Sequence, residues 1–185
     1  VAAASYAGFY AVANRSAADS VEIRDIRGNL YDPDPYHATF TPAPINRAGM
    51  EALMTASISG ADAGISGMAF TASGRQLFLA VCGAAGVADN DAILAFNVNT
   101  QTLRLFADGL DLARTAGKLG MVHHKGQLYV GTDNGKVLQF RAQRNDFTAG
   151  MATEINVGDS RIIGMCVDRS DDELVASTAG TLYRL

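Results

Sequence analysis

The residues with the best claim to chemistry stand in small, scattered groups. His123 and His124 are adjacent, just before Lys125-Gly126. Histidine ligates metals and relays protons near neutral pH, so a pair invites a metal reading. Neighbours on a strand point to opposite faces, however, so the two rings cannot readily share one ion. A solvated turn is the expectation there. His37, the remaining histidine, has no evident partner.

Asp89-Asn90-Asp91 begins like a calcium loop, which makes Asp89 and Asp91 candidate metal ligands. The stretch lacks the sixth-position glycine and closing glutamate of an EF-hand, and a polar hairpin tip explains it equally directly. Asp32 and Asp34 flank Pro33 and raise the same question. Asp168, Asp171 and Asp172 lie in "VDRSDDEL", which reads as a turn between two strands. Asp168 is the third candidate metal ligand. Calcium is the only cofactor these groups suggest, and none is the expected answer. No Ser-His-Asp arrangement appears, and "GAAGVAD" lacks the lysine of a phosphate loop. No catalytic residue is therefore assigned. Cys82 and Cys166 lie in apolar runs and are expected to be buried free thiols.

One further group points to binding. "NRAGMEALMTASI" suits a short helix with Asn46 as its N-cap. Met50, Leu53 and Met54 then share one face. That face either packs on the protein's own rim or meets a partner, as Met-rich surfaces do. The three residues are the candidate partner-binding set. They lie in a segment, residues 31–63, that contains all four prolines, Pro33, Pro35, Pro42 and Pro44. Proline interrupts strand ladders, so the segment reads as an ordered loop plus helix inserted between regular units.

The elements that must position these groups are strands. Hydrophobic residues make up 48% and charged residues 18%, which places the chain among globular proteins. With 185 residues it is long enough for one domain with a real core. A net charge of −4 and the absence of a Lys/Arg cluster argue against nucleic acid as the main partner. No apolar run approaches the roughly 18 residues of a membrane span. Only Lys118, Lys125 and Lys136 are lysines among 15 cations, which fits a GC-rich bacterial gene. "VAAAS" fits the remnant of a signal-peptide cleavage, so a periplasmic or extracellular location is weighed slightly above a cytoplasmic one.

Three stretches repeat: "GISGMAFTASGRQLFLAV", "GKLGMVHHKGQLYVGT" and "RIIGMCVDRSDDELVAST". Each has Gly-Met (Met68, Met121, Met165), a polar turn, then Gln or Glu followed by Leu. "LYVGTDNGKVLQF" and "LVASTAGTLYRL" extend the match, with Gly135 paralleling Gly180. Asp133 and Asn134 give way there to Ala179, so they read as a hairpin tip. A weaker copy, "GFYAVAN" and "SVEIRDI", lies near the N-terminus with no Gly-Met strand before it. The middle runs are apolar on both faces, which means that both faces are covered. Four-stranded units of about 45 residues, packed on both sides by neighbours, are the blades of a β-propeller.

The repeats resemble known propeller blades. "LYVGTDNGKVLQF" is similar to the repeat of two-component-regulator-type propellers, and "GMAFTASGRQLFLAV…DAILAFNVNTQTL" to blades of lactonase-like and surface-layer-type propellers. The resemblance covers Gly64 to Leu185 and, more loosely, Tyr6 to Phe40; it implies that residues 1–185 are a single all-β propeller domain or part of one, and it does not choose a function. Lactonase-like propellers carry a channel metal on acidic and amide side chains, and only Asp168 offers a carboxylate at a matching position. Two complete blades are expected, Gly64 to about Leu110 and Gly117 to about Val157, with a partial blade at each end, about three and a half in all. Closed propellers have about four to eight blades, so other protein chains or missing blades are the expected partners. The leading expectation is a non-catalytic binding or scaffold module within a larger assembly. The alternative is part of a lactonase-like hydrolase or quinoprotein-like dehydrogenase whose catalytic residues lie mostly elsewhere.

Overall fold

The computed structural model describes residues 3–14, 20–32, 45–55, 58, 64–113, 120–142 and 152–185. The proline-rich stretch 33–44, with Asp34 and His37, lies outside them. The architecture is all-β: four antiparallel sheets and one short helix. Sheet one holds β1 (Ala3–Tyr6), β2 (Phe9–Asn14) and β3 (Ser20–Asp25). Helix α1 (Arg47–Glu51) follows. Sheet two holds β4 (Gly64–Phe70), β5 (Gln76–Cys82), β6 (Asp91–Asn97) and β7 (Thr102–Leu110). Sheet three holds β8 (Met121–His124), β9 (Gln127–Gly131), β10 (Lys136–Arg141) and β11 (Thr153–Asn156). Sheet four holds β12 (Gly164–Asp168), β13 (Glu173–Ser177) and β14 (Leu182–Arg184). Each sheet is a meander in which consecutive strands pair.

The first strands of successive sheets lie side by side: β1 against β4, β4 against β8, and β8 against β12. The sheets therefore share an inner edge and fan outward from it. The Gly-Met repeats hold the same register in three sheets: Met68 opposes Leu79, Met121 opposes Val130 and Met165 opposes Ala176. Each methionine packs toward the preceding sheet. Gly67 lets the inner strands approach, because a Cβ there would lie 3.3 Å from Met121 Cβ.

Three apolar cores fill the three gaps. Phe9, Ala11 and Val21 of sheet one meet Leu77, Leu79 and Leu94 of sheet two. Phe78, Ile93 and Phe106 on the opposite face of sheet two meet Met121, Leu128 and Phe140 of sheet three. Val137 and Tyr129 on the far face of sheet three meet Met165 and Ala176 of sheet four. This explains why β5 is buried along its whole length while β13 alternates. The central strands are covered twice and the last sheet once.

Two expectations are corrected. Sheet one does have an inner strand: β1 pairs with β2, Tyr6 opposite Phe9, without a Gly-Met motif. Cys82 is buried, but Cys166 is exposed, because its face of β12 has no sheet over it. Met50, Leu53 and Met54 turn toward the chain's own core. Met50 is wholly buried, Met54 is buried, and Leu53 packs against the core between sheets one and two. The helix is nonetheless capped as expected, Asn46 accepting the Gly49 N–H at 2.9 Å.

Candidate functional site

The candidate groups fall on the loops that bridge neighbouring sheets. Asp91 opens β6 with its side chain fully buried. Its Oδ1 accepts the Gly83 N–H at 2.9 Å and its Oδ2 accepts the Leu112 N–H at 2.7 Å. The carboxylate ties both ends of the β5–β6 loop and the exit of β7 together. Asp89 has a left-handed backbone, φ 54°, and its N–H donates to Asp111 at 3.0 Å. Asn90 donates to the Ala84 carbonyl at 2.8 Å. Asp91 borders a cleft of about 310 Å³ that also touches Asp111, Leu112, Asp133 and Asn134. Among the described residues, no group of three or more His, Cys, Asp or Glu side chains could hold a metal ion.

The hairpin tip at Thr132–Gly135 does more than turn the chain. Thr132 Oγ1 donates to Asn134 Oδ1 at 2.6 Å and accepts the Lys136 N–H at 3.0 Å. Asp133 pairs with Arg161 at 2.6 Å, on the segment leading to sheet four. Gly135 has φ +77°, and its carbonyl accepts the N–H groups of Val157 and Gly158 at 2.9 and 3.1 Å. The tip is thus fastened to the strand end that leads into the next sheet.

His123 and His124 point to opposite sides, as strand geometry requires. His123 lies parallel to Phe78, with ring centroids 6.4 Å apart, and its Nε2 is 3.0 Å from the Ala142 carbonyl. Burial holds its pKa below the usual histidine value, and the neighbouring His124 adds to that. The Ala142 carbonyl acts in the opposite sense. Neutral His123 is an aromatic filler between sheets two and three. His124 Nε2 lies 3.4 Å from Asp172 Oδ1, close enough for attraction but without hydrogen-bond geometry. Lys125 pairs with the same carboxylate at 2.6 Å. The turn of sheet three is therefore clasped to that of sheet four, and the Lys125 contact keeps the Asp172 carboxyl below its ordinary range.

Asp168, at the end of inner strand β12, caps its own turn. Its Oδ1 accepts the Ser170 hydroxyl at 2.7 Å and the Ser170 N–H at 3.0 Å, and these bonds lower its pKa. Arg184 lies 3.7 Å away and also meets Asp171 and Glu173. Asp89 and Asp91 thus belong to the β5–β6 loop and Asp168 to the turn after β12, and the fold does not bring the three together.

The feature that the sequence alone did not reveal is an open face. Gly164, Cys166, Val175, Ser177 and Leu182 line an apolar groove of about 190 Å³ on the outer side of sheet four. Leu182 is 74% exposed. The outer side of sheet one carries the rows Ala3, Val12, Glu22 and Ser5, Tyr10, Arg24. Among the described residues, no core joins sheet one to sheet four.

No family model matches the chain, and no curated protein matches it. Among solved structures it is similar to the computationally designed Ika4 protein, with TM-score 0.59 and 10% identity over 100% of this chain and 88% of that one. It is also similar to a chain of the mitotic checkpoint complex, with TM-score 0.60 and 12% identity over 99% of this chain and 47% of that one. The chain spans less than half the length of that second chain. At such identities the likeness is one of fold. Among the described residues, no helix is long and apolar enough to cross a membrane.

Proposed function

We propose that this chain is part of a β-propeller acting as a non-catalytic binding or scaffold module in a larger protein assembly. One observation carries the reading: four antiparallel sheets succeed one another around a common inner edge, with a core in each gap. Blades of a propeller are so arranged. The scaffold role is supported by how the reactive-looking side chains are used. Asp91, Asp133, Asp172 and Asp168 accept backbone amides, meet cations across a seam, or cap a turn. Such groups make the sheets rigid, and rigid sheets present loops and faces for binding. The outer faces of sheets one and four are where a protein partner fits.

The test is the mass of the native particle, measured by light scattering after gentle isolation from its source. A particle heavier than one chain, cross-linking through sheet one or sheet four, is expected. A single cooperative monomer that melts as one unit would count against the module reading. Turnover of a lactone or a quinone-linked substrate by that monomer would favour a propeller enzyme instead.

A further inference from the structure

We propose that Asn134-Gly135 is a site of spontaneous modification. In the folded protein Asn134 deamidates through a cyclic imide, and the isoaspartate so formed releases the tip of sheet three from the strand end that leads to sheet four. The pair is the only Asn-Gly in the chain. Ring closure needs the backbone nitrogen after an asparagine to reach that asparagine's Cγ, and glycine, with no Cβ, leaves the approach open. Asn134 is exposed and borders two clefts of about 310 Å³ each, so water has access and ammonia can leave. Thr132 Oγ1 donates to Asn134 Oδ1 at 2.6 Å, which draws electrons from Cγ and stabilises the oxyanion that forms as the nitrogen adds. Comparable pairs are held differently. Asn90 is buried, and its amide donates to the Ala84 carbonyl. Asp108-Gly109 has a carboxylate, a poorer electrophile than an amide, and its Oδ1 already accepts the Gly109 N–H at 3.0 Å. Sheet four has Ala179-Gly180 at the matching repeat position, with no side-chain carbonyl to attack.

The chemistry consumes water alone. The Gly135 nitrogen bonds to Asn134 Cγ, the Cγ–Nδ2 bond breaks, and ammonia leaves with the proton that the Gly135 nitrogen gives up. Water then opens the five-membered ring. Opening at Cγ leaves an ordinary aspartate linkage. Opening at the main-chain carbonyl carbon leaves isoaspartate, whose backbone runs through the side chain and is one methylene longer. Either product adds a negative charge to the net −4. The tip cannot absorb the longer backbone. The Gly135 carbonyl accepts the Val157 and Gly158 N–H groups, and a Cβ on Gly135 would meet the Gly158 carbonyl oxygen at 2.0 Å. Lengthening the chain just before Gly135 moves its carbonyl off both donors. An ordinary aspartate keeps the backbone and an acceptor for Thr132, so the fastening survives it.

The purified full chain is aged at mildly alkaline pH, then digested with trypsin. Cleavage after Lys125 and Lys136 isolates the site on residues 126–136. Position 134 should convert faster than every other asparagine, and isoaspartyl methyltransferase should label a new, more acidic species. Hydrogen exchange at the Val157 and Gly158 amides should be faster in the labelled species than in the fresh chain. Asn134→Asp, which carries the charge without the extra backbone atom, should keep both amides protected. So should Asn134→Gln after the same ageing, since its side chain is one methylene too long to close the five-membered ring. Conversion at position 134 no faster than elsewhere, or only in urea, overturns the inference. So does a labelled species whose two amides stay protected. Loss of protection in fresh Asn134→Asp or in aged Asn134→Gln also overturns it, because the loosening would then come from charge or from another position.

Discussion

Replacing Gly135 by alanine should destabilise the protein severely, and the same change at Gly180, its repeat counterpart, should not. The structural cause is specific. A Cβ on Gly135 would sit 2.0 Å from the Gly158 carbonyl oxygen and 2.4 Å from its carbon. Both atoms are backbone, so no side chain can swing away. The strand end must retreat, which strains the two hydrogen bonds that the Gly135 carbonyl accepts from Val157 and Gly158. Each is worth about 1 kcal/mol. The left-handed backbone at φ +77° adds about 1 kcal/mol for a residue with a Cβ. The loss for Gly135→Ala is therefore about 3 kcal/mol. Around Gly180 no atom lies within 4 Å of the added methyl group. Gly180→Ala should change stability by less than about 0.5 kcal/mol. The chain has no tryptophan, so urea unfolding is followed by circular dichroism or tyrosine fluorescence. Losses equal within about 0.5 kcal/mol for the two variants would refute the reasoning.

Other outcomes follow from the same seams. Asp91→Ala strips two buried amides of their acceptor and should cost about 2–4 kcal/mol in urea unfolding; a calcium-dependent rise in wild-type melting temperature, absent from the variant, would restore the ligand reading. His123 has a folded pKa below its unfolded value of 6.5, so the unfolded chain binds the extra proton and stability falls as pH drops below about 6.5 toward the folded pKa. Melts between pH 8 and 5 should show this slope, and His123→Phe should flatten it; an unchanged slope in the variant would remove His123 as its source. Arg161→Ala breaks a half-exposed pair with Asp133 and should cost less than about 1 kcal/mol, so a larger loss would mean that the tip depends on charge. Phe78→Ala should cost about 3–5 kcal/mol, because the ring is fully buried between sheets two and three; a loss under about 1 kcal/mol would contradict the packing.

What was legible in the sequence was whatever repeated locally. The Gly-Met strands, the apolar runs of β5, β9 and β13, and the turns between them depend on neighbours in the chain, and they fold as their pattern indicates. Strand β1 was not legible: "AASY" is small and polar, and its place at the inner edge comes from pairing with β2 and lying against β4. Periodicity found the apolar face of α1 but could not say what covers it. Met50 turns into the core because sheets one and two leave a gap beside it. Asp89-Asn90-Asp91 has the same letters whether it binds an ion or a backbone. The deciding partner, the Leu112 amide, lies beyond two strands and was invisible to spacing. Likewise Asp133 looked like a bare tip until Arg161 came within 2.6 Å.

The meander wiring of the sheets has a consequence for synthesis. Every named strand pair joins chain neighbours, so a sheet needs nothing made later to close its own ladder. Domains emerge from the ribosome at about 5–20 residues per second, so each sheet of roughly 45 residues can form within about ten seconds. Local pairing of this kind also speeds folding. The nascent protein can therefore mature sheet by sheet, each new one shielding the greasy side of the one before. Its interval of greatest vulnerability to aggregation falls while the newest sheet still waits for a cover.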